Sequence, residues 1–275
     1  MTTKAFVIGH PIAHSRSPLI HGTWIAEHGI DGSYEAIDVA PAELPGFFER
    51  LREGEFAGGN VTIPHKEAVF ALCDSVDPLA RTIGAVNTLV ARAGKVHGTN
   101  TDYLGFLGNL DAAAPDWSAG KSTAIVLGAG GAARAILVAL KSRSIPVILL
   151  NRTRATADRL ARDIGGDIST GGLADFNAAA PSAGLVVNTT SIGMHSSRFE
   201  GFDLDLLPSD ALVTDIVYAP LVTPLLADAK ARGLRIVDGL GMLLHQAVPG
   251  FEAWFGIRPS VTKDLRTRIE ATLEH

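Results

Sequence analysis

A glycine-rich segment at residues 126–134, Val-Leu-Gly-Ala-Gly-Gly-Ala-Ala-Arg, carries the strongest chemical signal in the chain. An apolar run precedes it and an alanine-rich helical pattern follows it, which is the strand–turn–helix setting of a dinucleotide-binding turn. In such a turn, backbone N–H groups approach a pyrophosphate and the helix N-terminus adds partial positive charge. We therefore expect pyrophosphate contacts at Gly128, Ala129, Gly130, Gly131 and Ala132.

The end of the next predicted strand indicates which dinucleotide is bound. NAD-binding proteins usually place an acidic residue there to hold the ribose 2′-hydroxyl, whereas this chain has Asn151, Arg152, Thr153 and Arg154. A carboxylate would repel a 2′-phosphate, and guanidinium groups attract one and bind it bidentately. The sequence predicts NADP as cofactor. The alternative is a structural glycine turn beside solvated arginines.

Polar residues follow several predicted strands in the N-terminal part of the chain. Ser15 and Ser17 come just before a helix that begins near Pro18, where they could bind an anion or cap the helix. Thr62 and Lys66 follow a buried-looking strand, and a lone lysine in that position is usually a solvated charge. Asn87 lies near the start of a strand, and Asp102 begins a helix, where aspartate commonly caps. Each residue therefore has a structural interpretation beside the functional one.

No residue set predicts a metal site or a nucleophilic triad. His10 and His14 are four residues apart, but Pro11 interrupts any helix between them. We interpret His65, His97 and His245 as surface or cleft residues. Cys73 lies in an apolar helical pattern that predicts burial.

Composition excludes several classes of protein. The 275 residues are 47% hydrophobic and 19% charged, with a net charge of −5, which does not favour nucleic acid or an anionic membrane as partner. We find no signal peptide and no apolar run long enough to span a membrane. A single cysteine fits a reducing compartment, so we predict a cytoplasmic protein. Residues 273–275 could be the remnant of an expression tag.

Apolar runs divide the chain into two α/β blocks, which we expect to meet in the helix after Asp102. In the first block we predict strands at 5–9, 34–39, 59–63, 86–91 and 95–98, and helices at 18–28, 42–52 and 65–72. In the second we predict strands at 124–127, 147–150, 185–188, 212–217 and 235–237, and helices at 132–141, 155–163 and 224–232. Alternating strands and helices predict parallel sheets. The tail from Gly241 has helical patterns only, so we expect it to pack on the first block.

These segments, taken in order, resemble the shikimate dehydrogenase family over about residues 5–272. The resemblance rests on a series of short motifs spread along the chain. They are Gly9-His-Pro-Ile-Ala-His-Ser-Arg-Ser-Pro18, Asn60-Val-Thr-Ile-Pro-His-Lys-Glu67, Gly84-Ala-Val-Asn-Thr88, Asn100-Thr-Asp102, the glycine turn, Asn151-Arg-Thr153, Asn188-Thr-Thr-Ser-Ile-Gly193, Asp215-Ile-Val-Tyr218, Thr223-Pro-Leu225 and Asp238-Gly-Leu-Gly-Met-Leu-Leu-His-Gln-Ala247. One departure stands out, because Tyr103 occupies a position where many members have glycine. Its ring could change access to the substrate.

The resemblance implies an α/β fold of two α/β domains with a cleft between them. Residues 1–103 with 240–275 would form the substrate-binding domain, and 104–239 a Rossmann NADP-binding domain. The implied catalytic pair is Lys66 and Asp102. The implied substrate-binding residues are Ser15, Ser17, Thr62, Asn87, Tyr218 and Gln246. Ile216, Gly239 and Met242 are assigned to the cofactor, the last two near the nicotinamide.

The implied reaction is the reversible NADPH-dependent reduction of 3-dehydroshikimate to shikimate, in aromatic amino acid biosynthesis. The partner is then a small-molecule substrate, and the protein a monomer or homodimer. Two alternatives stay open at this point. One is a dual quinate/shikimate dehydrogenase, against which Asn151-Arg-Thr153 and Ser17 argue. The other is a metabolite sensor without catalysis, which predicts replacement of Lys66 or Asp102, and neither is replaced.

Overall fold

A computed structural model describes residues 2–120 and 122–273, except for the side chain of His195. The chain forms two compact units. It passes from the first unit to the second between Asp102 and Tyr103, and returns to the first between Leu243 and Leu244. The first unit contains residues 2–102 and 244–271, and the second contains the remainder. The first unit thus takes in the part of the C-terminal tail from Leu244 to Ala271. The predicted domain ranges and the tag interpretation also cover Met1, Lys121, Glu274 and His275, which lie outside the described residues.

The first unit combines a six-stranded sheet with helices from both ends of its sequence. Its strands are β1 (Thr3–Gly9), β2 (Gly32–Asp38), β3 (Gly58–Val61), β4 (Ser75–Val76), β5 (Thr88–Arg92) and β6 (Lys95–Thr99). Its helices are α1 (Ser17–Glu27), α2 (Leu44–Arg52), α3 (Ala68–Leu72), α4 (Pro78–Ile83), the start of α5 (Asp102–Ala113), most of α10 (Leu240–Phe255), and α11 (Lys263–Glu270).

The sheet of the first unit is mixed, which corrects the prediction of parallel sheets. Its strand order is β2-β1-β3-β5-β6-β4. β1 pairs in parallel with β2 and β3, but β5 is antiparallel to both β3 and β6. For β5 and β6 the physical reason is the short turn at Ala93 and Gly94, because a parallel connection needs a crossover of a dozen or more residues. The two extended segments around that turn are confirmed.

Both faces of this sheet are covered by apolar side chains. On one face, Phe6 packs edge-on against Phe47 and Phe56, with ring centroids 4.9 and 5.1 Å away. On the other, Ala5, Val7 and Tyr34 pack with Trp254 of α10. Burial on both sides fixes the sheet rigidly, and its edge can therefore hold polar side chains in defined positions.

The second unit is a doubly wound α/β layer. Its strands are β7 (Thr123–Leu127), β8 (Val147–Leu150), β9 (Ile168–Gly171), β10 (Ala183–Asn188), β11 (Ile192–His195), β12 (Leu212–Asp215) and β13 (Arg235–Val237). Its helices include most of α5, then α6 (Gly131–Ser142), α7 (Arg154–Ile164), α8 (Phe176–Ala179) and α9 (Pro224–Ala231). Six strands form a sheet of order β13-β12-β10-β7-β8-β9, and its paired neighbours run parallel.

That order places β7 beside β10 at the centre of the sheet, where the chain reverses its direction of winding. In open parallel sheets, ligands bind outside the carboxyl ends of strands at this switch point. The glycine turn follows β7 directly. The described helices of the chain are too short or too polar to cross a membrane.

Several predicted boundaries were wrong. The strand predicted at 59–63 ends at Val61, and the helix predicted at 65–72 begins only at Ala68. The residues between them form a turn around Pro64, which has no N–H for a helix or a ladder. Sequence reasoning also missed α4, α8 and the strands β4, β9 and β11, which are all short.

Candidate functional site

Lys66 and Asp102 form an ion pair in the first unit. The Lys66 Nζ donates to Asp102 Oδ2 at 2.6 Å, and the two side chains are 30% and 13% exposed. The structural alternative for Lys66, a solvated charge without a partner, does not fit this pairing. The capping interpretation of Asp102 does not fit either, because Asn100 Oδ1 accepts from the Asp102 N–H and the carboxylate is turned to other partners.

Asn87 holds the other oxygen of the same carboxylate. Its Nδ2 donates to Asp102 Oδ1 at 2.8 Å, while its Oδ1 accepts from the backbone N–H of Thr101 at 2.8 Å. The backbone contact fixes which end of the amide faces Asp102. Lys66, Asn87 and Asp102 thus form one partly buried polar group, with an ammonium that has room for a further acceptor.

This group is brought together by the antiparallel part of the sheet. Thr88, at the start of β5, pairs with Thr99, at the end of β6, so Asn87 lies beside the segment that leads into α5. Lys66 comes from the turn after β3, which pairs with β5 on its other side. Residues 66, 87 and 102 therefore meet where β3 and β6 end and β5 begins, although 36 positions separate the first from the last.

The paired serines lie at the start of α1. The helix has Arg16 at its N-cap position and no side-chain cap, so Ser17 is a helical residue and not a cap. Ser15 Oγ accepts a long 3.3 Å bond from the Ser17 N–H. Ser17 is buried and its hydroxyl interacts with Tyr34, whereas Ser15 and Thr62 are half-buried.

The remaining two predicted substrate contacts belong to different units. Gln246, on the part of α10 in the first unit, is buried, and its Oε1 accepts long bonds of 3.4 Å from Asn87 Nδ2 and 3.5 Å from Thr101 Oγ1. It therefore joins the group around Asp102. Tyr218 lies in the second unit, half-buried in the segment after β12.

Sequence reasoning missed a set of buried polar residues behind this group. Tyr34, Asn60, Thr88 and Thr101 are all at most 9% exposed and are joined by hydrogen bonds. Asn60 and Thr88 are direct cross-strand partners on β3 and β5. A signal was present, since an asparagine in a short glycine-rich strand and a threonine after Asn87 are polar residues at core positions.

His21 is a buried histidine beside this network, and it has an apolar environment. Its ring stacks on Tyr34 with centroids 4.0 Å apart and lies against Trp24, Phe251 and Trp254. Neither ring nitrogen has a hydrogen-bond partner. Burial lowers the pKa of His21 to about 3, and the nearby Asn60 side chain offsets this only in part.

In the second unit, the glycine turn has the geometry that a pyrophosphate needs. Gly128 has φ +101°, and a Cβ there would lie 2.7 Å from Thr190 Cγ2 and 2.9 Å from Thr189 Oγ1. At Gly130 and Gly131 a Cβ would meet nothing within 4 Å. Helix α6 begins here with Gly130 at its N-cap, which offers no side-chain cap to the first N–H groups of the helix. Ala129 and Ala132, half-buried, complete the turn.

The end of β8 fits a 2′-phosphate better than a free ribose hydroxyl. Asn151 Nδ2 donates to the Thr153 carbonyl at 2.9 Å, which shapes the turn into α7. Arg152, Thr153 and Arg154 are exposed, and Arg154 lies 3.9 Å from Asp158 one helical turn later. That long, exposed pair leaves the guanidinium available for an anion.

A second polar cluster supports the segment that contains Ile216 and Tyr218. The buried Asp215 accepts from Asn188 Nδ2, from Thr223 Oγ1 at 2.7 Å and from the Val217 N–H at 2.9 Å. Burial raises the pKa of the Asp215 carboxyl, and these donors offset that effect in part. Ile216 and Met242 are half-buried, and Gly239 is buried before α10.

Two other sequence interpretations are settled by burial. His65 is buried, with Nε2 2.7 Å from the Val39 carbonyl, so the prediction of a surface or cleft position was wrong for it. Cys73 is half-buried, and burial raises the pKa of its thiol to about 12, which keeps it protonated and unreactive. Among residues 2–120 and 122–273, no three histidine, cysteine or acidic side chains form a metal-binding group.

Comparisons with known proteins identify the family. Residues 7–89 match the shikimate dehydrogenase substrate binding domain, 112–203 match the shikimate/quinate 5-dehydrogenase family, and 239–266 match the shikimate 5′-dehydrogenase C-terminal domain. The shikimate dehydrogenase (NADP(+)) of Mesorhizobium japonicum is 57% identical over 99% of this chain and 97% of its own length. The chain belongs to the shikimate dehydrogenase family. The predicted resemblance and the two-domain α/β fold class are thereby confirmed.

Solved structures of the family agree over the full length. The shikimate 5-dehydrogenase of Thermus thermophilus, in complex with NADP(H) and shikimate, has a TM-score of 0.86 and 38% identity over 98% of this chain and 99% of that one. A quinate dehydrogenase from Corynebacterium glutamicum in complex with NAD has a TM-score of 0.89 and 31% identity, with coverage of 98% and 99%. The family therefore includes members with a different substrate and cofactor.

Proposed function

We propose that this chain is an NADP-dependent shikimate dehydrogenase, which interconverts 3-dehydroshikimate and shikimate. The observation that carries the proposal is the Lys66–Asp102 pair, held at 2.6 Å by a buried amide, in the unit that matches the substrate binding domain. The high identity to a full-length NADP-dependent relative supports the same conclusion. A cytoplasmic location and a monomeric or homodimeric state stay predictions.

The chemistry of the pair suits reduction of a ketone. When bound, NADPH supplies a hydride, and negative charge develops on the carbonyl oxygen that is reduced. The Lys66 ammonium stabilises that charge and gives its proton to the oxygen. Asp102 orients the ammonium and balances its charge. In the reverse direction, neutral Lys66 accepts the proton of the substrate hydroxyl.

The other polar residues bind the substrate in this proposal. Ser15 and Ser17 hold its carboxylate at the N-terminus of α1, where the helix end favours an anion. The hydroxyl groups are bound by Thr62, Asn87, Gln246 and Tyr218. Four hydrogen-bonding partners around a polyhydroxylated ring account for specificity, because a ligand that lacks a hydroxyl leaves a buried polar group unpaired.

The cofactor is held by residues from four segments of the second unit. The turn Gly128–Ala132 binds the pyrophosphate, and Asn151, Arg152, Thr153 and Arg154 bind the adenosine 2′-phosphate. Ile216, Gly239 and Met242 contact the cofactor, the last two near the nicotinamide. The fit rests on the open space above Gly130 and Gly131 and on the exposed arginines after β8.

Steady-state rates with shikimate and quinate, each with NADP and NAD, test the proposal directly. We expect shikimate with NADP to give the highest kcat/KM. The quinate alternative predicts comparable rates with quinate, as the Corynebacterium glutamicum relative suggests. A sensor without catalysis predicts shikimate binding with no turnover, which would refute the proposal.

Variants of the pair test the mechanism. Lys66→Ala should lower kcat at least ~10²-fold, the low end for general acid–base catalysis, with a smaller change in KM. Lys66→Arg should restore little, because a guanidinium does not release its proton at neutral pH. Asp102→Asn should impair both kcat and substrate binding. The exposed Lys95→Ala is the control and should keep the wild-type rate. A Lys66→Ala enzyme with a third of the wild-type kcat would exclude this role.

A further inference from the structure

A chain of hydrogen bonds, with a side branch at Thr101, runs through the core of the first unit and ends at the Lys66–Asp102 pair. The Tyr34 hydroxyl donates to Asn60 Oδ1 at 2.7 Å, and Asn60 Nδ2 donates to Thr88 Oγ1 at 3.2 Å. Thr88 Oγ1 donates to Asn87 Oδ1 at 2.9 Å, and Asn87 Nδ2 donates to Asp102 Oδ1 at 2.8 Å. Tyr34, Asn60, Thr88 and Asn87 are each at most 9% exposed.

The direction of donation is the same at every step. The single hydrogen of the Thr88 hydroxyl has two acceptors in reach, Asn87 Oδ1 at 2.9 Å and Thr101 Oγ1 at 3.2 Å, and we assign it to the nearer one, which can only accept. The Asn60 amide cannot turn over without loss, since Nδ2 also donates to the Asn87 carbonyl at 3.3 Å. Reversal would place two oxygens against each other in a buried site.

Tyr34 is held so that it can begin the chain. Its ring stacks on His21, with the planes 15° apart, and lies 5.8 Å from Trp254. Burial raises the pKa of the Tyr34 phenol well above its usual value, so the hydroxyl keeps its proton and acts as a donor. Ser17, assigned above to the substrate carboxylate, also interacts with this hydroxyl.

We propose that Tyr34 and Thr88 are positioning residues for the reaction, acting through Asn60 and Asn87 to fix the carboxylate of Asp102. The proposal rests on the function proposed above. These hydrogen bonds then do more than hold β3 and β5 together. The Asn87 amide at their end sets the direction in which Asp102, and with it Lys66, can point. A purely structural role predicts effects on stability alone.

Substitutions at Thr88 separate the two roles. Thr88→Val is nearly isosteric and breaks the chain, whereas Thr88→Ser keeps the hydroxyl. We expect kcat with shikimate to fall about tenfold in the valine variant, the upper size of one buried hydrogen bond, and to recover in the serine variant. Thr23→Val is the matched control, because Thr23 is also buried and its hydroxyl donates to the Leu19 carbonyl within α1. It should leave kcat unchanged.

Tyr34→Phe breaks the same chain at its other end. Because both variants interrupt one pathway, the double variant should lose about as much kcat as either single variant, near tenfold instead of a hundredfold. Losses that multiply, or that follow the melting temperature in all variants including Thr23→Val, would overturn the proposal.

A crystal structure of Thr88→Val gives a readout that does not depend on the reaction. We expect the Asn87 amide to lose its 2.8 Å contact with Asp102 Oδ1 or the carboxylate to rotate. If the wild type turns over shikimate and the Thr88→Val structure keeps this contact unchanged, the positioning role is contradicted and the proposed function is not affected. A wild type without shikimate turnover contradicts the proposed function, while the crystal structure still decides the positioning role.

Discussion

At the scale of single residues, His21 makes stability depend on pH. Its folded pKa of about 3 lies below the value of 6.5 for an exposed histidine, because the ring is buried without a partner. The unfolded chain therefore binds a proton below pH 6.5 that the folded chain does not bind. Stability falls as the pH drops from about 6.5 towards 3, at about 1.4 kcal/mol per pH unit from this group.

We expect His21→Phe to remove this slope. Urea unfolding of wild type and variant, followed by the fluorescence of Trp24 and Trp254 in the same unit, should show a difference that grows between pH 6.5 and pH 4. His97→Phe serves as a control, because His97 is exposed and its substitution should leave the acid slope in place. Parallel pH profiles for wild type and His21→Phe would contradict the assignment.

A second residue-scale prediction concerns Arg152 and cofactor choice. Arg152→Ala should weaken NADP binding roughly ten- to a hundredfold and leave NAD binding nearly unchanged, since only NADP carries the 2′-phosphate. The size corresponds to one hydrogen bond to a charged group, ~1.5–3 kcal/mol. Calorimetric titration with both cofactors measures it. Arg159→Ala, which changes an exposed arginine on the following helix α7, should change neither. Equal losses for both cofactors would contradict the prediction.

At the scale of elements, two glycines in the turn between β7 and α6 have different roles, one in folding and the other in cofactor binding. Gly128→Ala should destabilise the second unit, because φ is +101° and the new Cβ would press on Thr190 at 2.7 Å. Gly130→Ala should fold normally, since its φ of −90° suits alanine and its surroundings are open. Its methyl group would occupy the space where the pyrophosphate approaches, so NADP binding should be lost.

Thermal denaturation together with NADP titration tests this pair. We expect a lowered melting temperature for Gly128→Ala and a wild-type one for Gly130→Ala without measurable NADP affinity. A Gly130→Ala variant that binds NADP as wild type would show that the pyrophosphate does not approach this part of the turn.

At the scale of the whole molecule, the two units should respond to different ligands. NADP⁺ at 100 times its Kd stabilises the state that binds it by ~2.7 kcal/mol. We expect hydrogen exchange to slow about a hundredfold in β7 and α6 of the second unit, with little change in β1 of the first. Shikimate should give the reverse pattern. Equal protection of both units by NADP⁺ alone would show that they open together.

The sequence by itself determined the family and the dinucleotide turn. These depend on local rules, because a glycine turn between strand and helix, or an arginine in place of an acidic residue, has its chemical meaning within a few positions. The parallel sheet of the second unit followed in the same way from strands that alternate with helices. The roles assigned to Lys66, Asp102, Ser15, Thr62 and Tyr218 relied on resemblance, and they stay proposals.

Only the tertiary structure decided how Lys66, Asn87 and Asp102 meet. The antiparallel pairing of β5 with both β3 and β6 brings the three residues to one edge, and the sequence pattern had predicted parallel strands. The pairing of distant strands depends on long-range burial, which no local pattern specifies. For the same reason Tyr34, Asn60 and Thr88 could not be recognised as one chain, since each is an ordinary polar residue until the sheet places them in register.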